Sequence, residues 1–240
     1  MGNTLLKVAE FSADNMQNLE PFEKGAFGKL EQYLNTKTEG SCCIVSSVID
    51  YPDSLARLLE TRFKTIFLTP ETPLPVKIGY KTPETLGKDR IAAAVAAWGI
   101  FPGNDLLVID AGTAITMDLV TKEGVFAGGA IAPGIDMRFA ALHTFTGKLP
   151  LIKKAEISFL TGTTTHDSIL SGVINGVARE IDGIIDEYKL NYHKIVVVLG
   201  GGDSFFLLKR LKNSIFALPN PVLSGLNIIL DYNIESKKNH

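Results

Sequence analysis

The sequence predicts an α/β fold from the order of its apolar patterns, while its composition and charge limit the number of domains and the class of partner. Short apolar stretches typical of buried strands alternate with helical spacing through the first hundred residues, the pattern of layered α/β proteins. A hydrophobic content of 45% in 240 residues suffices for one large domain or two small ones. The formal charge of −2, with Lys and Arg dispersed, predicts a globular protein without a nucleic-acid partner.

The sequence also bears on the compartment. No apolar run approaches the roughly 20 residues of a membrane span, and the first residues lack the basic-then-apolar form of a signal peptide. Cys42 and Cys43 are adjacent, so on a strand they would point to opposite faces and could not pair. We expect both to be buried small hydrophobic residues in a reducing compartment. The prediction is a cytoplasmic protein with no membrane partner.

The first elements follow in order. A turn, Gly2-Asn3-Thr4, precedes an alternating strand that runs to Phe11. Apolar residues at helical spacing over residues 21–35 predict a helix with Pro21 in its first turn. The next predicted elements are strands over residues 43–49 and 65–69 and, between them, a short helix capped by Asp53.

An alanine-rich helix is predicted over Lys88–Trp98, after a Pro-, Thr- and Gly-rich loop, Pro70–Gly87. Asp89 lies in the first turn of this helix. A carboxylate there complements the helix dipole and is worth a few tenths to about 1 kcal/mol. Helix stabilisation alone would therefore explain Asp89, and a functional role is the other interpretation.

The stretch Asp105–Thr116 has the clearest chemistry. It predicts a buried strand that delivers the Asp110 carboxylate into a turn of small residues, Ala111–Ala114. Gly112 permits close approach, and the backbone N–H groups and the Thr113 hydroxyl can donate to the oxygens of a phosphate. Asp110, at the end of a strand, is well placed to hold Mg²⁺. The alternative is an ordinary hairpin, because Asp and Gly are common turn residues.

A glycine-rich stretch follows a predicted hairpin over residues 115–121 and 125–132. Gly128-Gly129 and Pro133-Gly134 expose backbone N–H groups ahead of a helix from Ile135. Arg138, one turn into that helix, is either a ligand contact or a solvated charge.

Hydroxyl groups and glycines mark two further helix starts. Thr163-Thr164-Thr165 precedes the longest predicted helix, and because one hydroxyl suffices as a cap, the others suggest a ligand. His166 has no Cys or Asp partners at ligand spacing and is expected to be a surface or structural residue. The strand Lys194–Leu199 ends in Gly200-Gly201-Gly202-Asp203, a turn against which a nucleotide can lie. Residues 215–218 and a helix over residues 222–232 are expected to close the core.

Four motifs in this order resemble those of type III pantothenate kinases. They are Tyr80-x-x-Pro83-x-x-Leu86-Gly87-x-Asp89-Arg90, Asp110-x-Gly112-Thr113-Ala114-x-Thr116, Gly128-Gly129-x-Ile131-x-Pro133-Gly134 and Gly201-Gly202-Asp203. The match covers nearly the whole chain. It implies an α/β fold of two ribonuclease H-like lobes, the actin-like ATPase architecture of the acetate and sugar kinase/Hsp70/actin superfamily. Residues 1–104 would form the first lobe and residues 105–240 the second.

The resemblance implies ATP-dependent phosphorylation of pantothenate to 4′-phosphopantothenate, the first step of coenzyme A biosynthesis, by a homodimer. The implied cofactors are ATP, Mg²⁺ and a monovalent cation, K⁺ or NH₄⁺. Asp89 matches the general base and Asp110 the metal site. The positions that match substrate-binding residues are Tyr80, Gly87, Lys88, Asp89, Arg90 and Thr165. The positions that match ATP- or phosphate-binding residues are Gly2, Asn3, Thr4, Gly112, Thr113, Gly201 and Gly202.

The chain departs from the family pattern at two places. The family begins with a strand that ends Asp-x-Gly-Asn-Thr, whereas here only Gly2-Asn3-Thr4 is present. The first strand and its Mg²⁺-ATP-contacting Asp are thus expected to be missing from this chain, and a start codon upstream is the favoured explanation. Gly200 stands where the family usually has Thr.

Two alternative functions follow from the same residues. The missing Asp favours a catalytically impaired relative that acts as a regulatory or transcription-accessory protein, whereas the intact Asp89, Arg90 and Asp110 favour the kinase. A sugar or acetate kinase of the same superfamily is the third interpretation.

Overall fold

The structure is a computed structural model that describes residues 1–2 and 4–238. A short 3₁₀ turn covers Pro83–Thr85. The strands and helices, in chain order, are β1 (Leu5–Ser12), β2 (Asn15–Glu23), α1 (Phe27–Asn35), β3 (Cys42–Val45), α2 (Asp53–Arg62), β4 (Lys64–Phe67), β5 (Lys77–Ile78), α3 (Lys88–Ile100), β6 (Leu106–Ala111), β7 (Ala114–Val120), β8 (Val125–Pro133), α4 (Ile135–Thr144), α5 (Thr165–Asn191), β9 (Val196–Gly200), α6 (Ser204–Leu208), β10 (Phe216–Ala217) and α7 (Pro221–Lys238). The alternation of strands and helices confirms the predicted α/β class.

The chain packs into two compact units. Unit 1 comprises Met1–Ile100, Gly124–Phe126 and the chain from Pro221 onwards, and unit 2 comprises Phe101–Glu123 and Ala127–Asn220. The polypeptide therefore leaves unit 1 after Ile100, returns to it briefly at Gly124–Phe126, and returns again with α7. The lobe boundary at residue 104 stays a prediction.

Unit 1 contains two separate two-stranded sheets. Strands β1 and β2 form an antiparallel hairpin, and β3 pairs with β4 in parallel. One apolar core joins β1 to α1 and α2, because amphipathic helices bury one face. Its fully buried members are Leu6, Leu30, Leu34, Leu55, Leu59 and Phe63.

Three local predictions in unit 1 are wrong. Pro21 lies in β2 opposite Lys7, and α1 begins only at Phe27, because Pro is tolerated on an edge strand and both strands of a two-stranded sheet are edges. Asp53 is the first residue of α2 and makes no capping hydrogen bond. Cys42 is exposed and Cys43 only half-buried, because β3 has a hydrogen-bonded neighbour on one side only.

Close packing of α7 on α3 is the main helix–helix contact of unit 1. Ala92–Ala97 of α3 are buried, and a Cβ atom on Gly225 of α7 would lie 1.7 Å from the Ala92 carbonyl oxygen. Only glycine permits this approach of the two backbones. Helix α3 is thereby held firmly at its middle, one turn after Asp89.

Unit 2 is built on a sheet with the strand order β10-β9-β6-β7-β8. β6 pairs antiparallel with β7 and parallel with β9, and β5 pairs with Val125 and Phe126 at the start of β8. Helix α5 covers one face of the sheet with the predicted apolar stripe. Its buried members include Ile169, Val173, Val177, Ile181 and Ile185.

Candidate active site

Strand β6 lies between β9 and β7 in the unit 2 sheet, and Asp110 lies at its C-terminal end. In the register of the sheet, Asp110 lies opposite Thr116 of β7 and Gly200 of β9. The chain then reverses through Gly112 and Thr113, and the Gly112 N–H donates to the Ala114 carbonyl at 3.0 Å. We call residues 111–114 the phosphate loop. The loop connects two antiparallel strands, as in the ordinary hairpin that was the alternative to a phosphate-binding turn. The residues that pack against it therefore bear on which interpretation is correct.

The turn at Pro133-Gly134 packs directly against the phosphate loop. The Gly134 N–H donates to the Thr113 carbonyl at 3.1 Å. A Cβ atom on Gly134 would lie 2.1 Å from the Gly112 carbonyl oxygen and 2.5 Å from that of Thr113. A side chain at Gly134 would displace the loop, so glycine is required by the close approach.

The turn at Gly201 packs against the loop from the β9 side. Gly201 has φ +91°, and a Cβ atom there would lie 2.2 Å from the Ala111 carbonyl oxygen and 2.5 Å from Asp110 Oδ1. The Asp203 N–H donates to the same Ala111 carbonyl at 2.9 Å. Two glycine turns and the phosphate loop therefore meet at the end of β6, which an ordinary hairpin would not need.

Asp203 has a partner that the sequence did not reveal. Its carboxylate, mostly buried, forms an ion pair with Lys154, and the Lys154 ammonium lies 5.4 Å from the centroid of the Phe206 ring. Lys154 belongs to an irregular segment with no periodic pattern, so no sequence signal marked it. The ion pair ties that segment to the Gly201–Asp203 turn.

Asp89 occupies the first turn of α3 in unit 1, as predicted. Its Oδ1 accepts a hydrogen bond from the Arg90 N–H at 2.9 Å. A Cβ atom on Gly87 would lie 2.6 Å from this same oxygen. Gly87 and the following helical turn therefore fix the carboxylate, and Lys88, half-buried, lies between them in the chain.

Arg90 is held between two aromatic rings. Only 6% of the residue is exposed, and its guanidinium carbon lies 5.7 Å from the Tyr80 ring centroid and 5.6 Å from that of Phe126. The two rings also contact each other edge-to-face, with centroids 6.1 Å apart. Cation–π attraction fixes the planar guanidinium in this geometry. Phe126 was not predicted; its position in an alternating strand after Gly124 gave no functional signal.

The N-terminal turn belongs to the same unit as Asp89. The Gly2 N–H donates to the Leu5 carbonyl at 3.0 Å, and Thr4 is exposed. Asn3 lies outside the described residues. Burial lowers the pKa of the Met1 amino group, and the negative charge of Asp89 acts against that shift. Asp89 is thus within electrostatic reach of the turn.

Thr165 lies at the start of α5, and Thr164 is the residue that caps this helix. The Thr164 hydroxyl accepts from the Asp167 N–H at 3.1 Å, so Thr165 does not cap the helix, and its substrate role stays a prediction. Thr165 lines a groove of about 900 Å³ in unit 2, together with Arg138, Leu142, Thr163, Thr164 and Ile169. His166 is exposed, and its Nδ1 lies 3.3 Å from Asp167 Oδ1; of the two roles expected for it, it is a surface residue.

The donor chemistry near Asp110 suits a cation held jointly with a ligand. Within residues 1–2 and 4–238, no group of three or more His, Cys, Asp and Glu side chains could hold a metal ion by itself. A single carboxylate is the usual protein contribution to Mg²⁺, which keeps waters and binds substrate phosphates. Asp110 at the phosphate loop fits that arrangement. None of the helices in the described part of the chain combines the length and apolar character needed to cross a membrane.

The predicted residues thus form two groups. Tyr80, Gly87, Asp89 and Arg90 cluster in unit 1 with Phe126, whereas Asp110, Gly112, Thr113 and Gly201 cluster in unit 2. Thr165 lies in the groove of unit 2. Gly202 follows Gly201 and is exposed.

The chain matches a known protein family. Residues 1–187 match the family model of type III pantothenate kinase. The chain is 42% identical over 233 residues to a type III pantothenate kinase of Christiangramia forsetii, with 97% of this chain and 96% of that protein covered. It is 44% identical over 234 residues to the type III pantothenate kinase of Bacteroides fragilis, with the same coverage.

Solved structures show the fold. A Baf family transcriptional activator from Campylobacter jejuni superposes with a TM-score of 0.59 at 20% identity, with 97% of this chain and 96% of that chain covered. The activator of 2-hydroxyisocaproyl-CoA dehydratase from Clostridium difficile, solved with ADPNP, gives a TM-score of 0.54 at 15% identity and covers 100% and 96%. At these identities the similarity concerns the fold alone.

Proposed function

The chain belongs to the type III pantothenate kinase family, and we propose that Asp89 is the general base of its reaction. The chain is a pantothenate kinase: it transfers the γ-phosphoryl group of ATP to pantothenate and forms 4′-phosphopantothenate, the first step of coenzyme A biosynthesis. The observation that carries this conclusion is 42–44% identity to such kinases over 97% of the chain. The comparisons give no support to a regulatory role.

The geometry at Asp89 supports its role as the base. Because Oδ1 accepts the Arg90 N–H, we assign the substrate proton to Oδ2. In the reaction, the primary hydroxyl of pantothenate attacks the γ-phosphorus as its proton passes to Asp89, and the bond from phosphorus to the β,γ-bridging oxygen breaks in line. Because Gly87 has no Cβ atom, the Asp89 carboxylate can occupy this position.

Arg90 is the proposed partner of the pantothenate carboxylate. A guanidinium pairs with a carboxylate through two parallel hydrogen bonds, and the Tyr80 and Phe126 rings hold the plane of Arg90 in place. Gly87 and Lys88 complete the substrate site of unit 1 in this proposal. We assign Thr165, whose hydroxyl is not used for capping, to substrate binding within unit 2.

The phosphate loop is the proposed site of the ATP phosphates. Its Gly112 and Thr113 and the Gly201-Gly202 turn, all in unit 2, would donate to phosphate oxygens. Within unit 1, we assign Gly2, Asn3 and Thr4 to ATP binding as well. The family uses ATP with a divalent cation, and we propose Mg²⁺ beside Asp110. Such an ion supplies charge neutralisation of the phosphates. A monovalent cation, K⁺ or NH₄⁺, a homodimer and a cytoplasmic location complete the proposal.

One assay tests the function directly. ADP release from ATP is measured with and without pantothenate, in the presence of Mg²⁺ and K⁺, and the product is identified by mass as 4′-phosphopantothenate. We expect release that depends on pantothenate. Glucose and acetate serve as control acceptors, and turnover with one of them in place of pantothenate would contradict the assignment, as would the absence of any acceptor-dependent turnover.

A further inference from the structure

Arg138 makes a set of contacts that neither sequence interpretation anticipated. It lies one turn into α4, and its Nη1 and Nη2 donate to Oε2 and Oε1 of Glu180 on α5, each at 2.8 Å. Its Nε donates to the Pro133 carbonyl at 2.9 Å. All three guanidinium nitrogens are therefore engaged within the protein. Arg138 is neither a freely solvated charge nor a group whose charge awaits a ligand.

These contacts continue to the phosphate loop. Pro133, whose carbonyl Arg138 holds, precedes Gly134, whose N–H donates to the Thr113 carbonyl at 3.1 Å. The backbone of Gly134 also fits so closely against Gly112 that a Cβ atom would lie 2.1 Å from its carbonyl oxygen. A continuous path of short contacts thus runs from Glu180 through Arg138 and the Pro133-Gly134 turn to the loop.

We propose that Arg138 is a positioning residue for ATP: by clamping the Pro133-Gly134 turn to Glu180, it fixes the phosphate loop in the conformation that receives the phosphates. The proposal rests on the proposed function, because it takes residues 111–114 as the phosphate site. It deepens that function by assigning a role to a pair of charges on α4 and α5 outside the site itself.

The chemistry of the clamp requires arginine. A planar guanidinium can bind a carboxylate with two nitrogens and still direct the third at a carbonyl, whereas a lysine ammonium is a point charge without that fixed geometry. The pair is only partly exposed, with 22% of the Arg138 side chain and 33% of the Glu180 side chain accessible. Solvent therefore weakens the pair less than it weakens a fully exposed one.

The test compares substrate dependence among matched variants. In Arg138→Met, we expect the KM for ATP to rise about tenfold, because a misplaced loop loses phosphate contacts, while the KM for pantothenate stays within about twofold of the wild-type value. Arg138→Lys should recover part of the lost ATP affinity. Glu180→Gln removes the other partner of the ion pair and should also raise the KM for ATP. Calorimetric titration with a non-hydrolysable ATP analogue gives a readout independent of turnover.

Two further variants separate the possible outcomes. Arg179→Met removes an exposed arginine of α5 that lies 3.5 Å from Asp182, and it should leave both KM values unchanged. Thr113→Val alters the phosphate loop itself. If Thr113→Val weakens ATP binding but Arg138→Met and Glu180→Gln, both folded, do not, the clamp proposal is overturned and the phosphate-site assignment stands. If Thr113→Val leaves ATP binding unchanged in an active kinase, the phosphate-site assignment and the clamp proposal both fail. Equal rises in both KM values, together with a lowered melting temperature, also overturn the positioning role.

Discussion

A Cβ atom on Gly87 would lie 2.6 Å from Oδ1 of Asp89, closer than any non-bonded carbon can approach. Substitution of Gly87 by Ala must therefore displace the carboxylate. We predict that Gly87→Ala lowers kcat about tenfold to a hundredfold, because a small misplacement of a reacting group has a large effect on rate. Steady-state kinetics checks this, with Gly28→Ala as the control, since Gly28 in α1 has nothing within 4 Å of its added Cβ. If Gly87→Ala keeps the kcat of the wild type, the absence of a Cβ atom at Gly87 is not needed to place the Asp89 carboxylate for the reaction.

The Asp89→Asn variant tests the general base. The amide keeps the shape of the carboxylate but cannot take a proton, so turnover should fall roughly a hundredfold or more with ATP-analogue binding retained. Asp53→Asn is a matched control, because Asp53 also lies in the first turn of a helix and its loss removes only a helix-dipole interaction. Turnover within a factor of two of wild type in Asp89→Asn would exclude the proton-transfer role.

The Arg90→Lys variant tests carboxylate recognition. Lysine keeps the positive charge but loses the planar, bidentate geometry held by Tyr80 and Phe126, so the KM for pantothenate should rise about tenfold or more while that for ATP is little changed. Arg57→Lys, on the exposed side of α2, is the control. The decisive comparison uses an inhibitor that is a pantothenate analogue without the carboxylate. If the ratio of the affinities for pantothenate and for this analogue is the same in the variant and the wild type, Arg90 does not bind the carboxylate.

The Gly201→Ala variant tests the turn against the phosphate loop. At φ +91° an alanine is strained, and its Cβ would overlap the Ala111 carbonyl. We expect the free energy of unfolding to fall by at least about 2 kcal/mol, with a higher KM for ATP. Chemical denaturation measures the first quantity. Gly183→Ala in α5, where the Cβ meets open space, should instead stabilise by about 0.5–1 kcal/mol; equal effects at both positions would contradict the close approach.

The two cysteines should differ in reactivity with pH. Burial, with a smaller contribution from the neighbouring Cys42, raises the pKa of the Cys43 thiol to about 11, so its thiolate accumulates only as the pH rises towards that value. At pH 8 a thiol reagent should modify exposed Cys42 quickly and Cys43 slowly. Reaction kinetics of wild type and Cys42→Ser check this. A fast phase that persists in Cys42→Ser would contradict the burial of Cys43.

The chemistry-bearing turns could be predicted from sequence because each consists of local residues at a strand end. Asp110 and the Gly112-Thr113 turn follow a buried strand, and Thr164 and Thr165 start a helix, so composition and position alone located these turns; the roles assigned to them stay predictions. The resemblance to the kinase family added the proposed roles of Asp89 and Arg90; for Asp89, stabilisation of the helix was the alternative explanation.

The remaining features depend on contacts between residues distant in sequence. Phe126 becomes a partner of Arg90 only through the fold, and Glu180 meets Arg138 across 42 residues. The error at Pro21 has a local cause: the hairpin turns at Ala13, a non-glycine residue with φ +50°, where no glycine or proline marked a reversal. Helical spacing over the following residues was then extended too far towards the N-terminus.

The contact of Gly225 with Ala92 has a consequence for biosynthesis. Helix α7 is synthesised after the whole of unit 2, so on the ribosome the helix that carries Asp89 waits without its packing partner while unit 2 emerges. Such a non-local closure is slow and exposes apolar surface in the meantime. The side of α3 around Ala92 is left uncovered in a nascent or truncated chain, so docking of α7 completes the packing of the helix that carries Asp89.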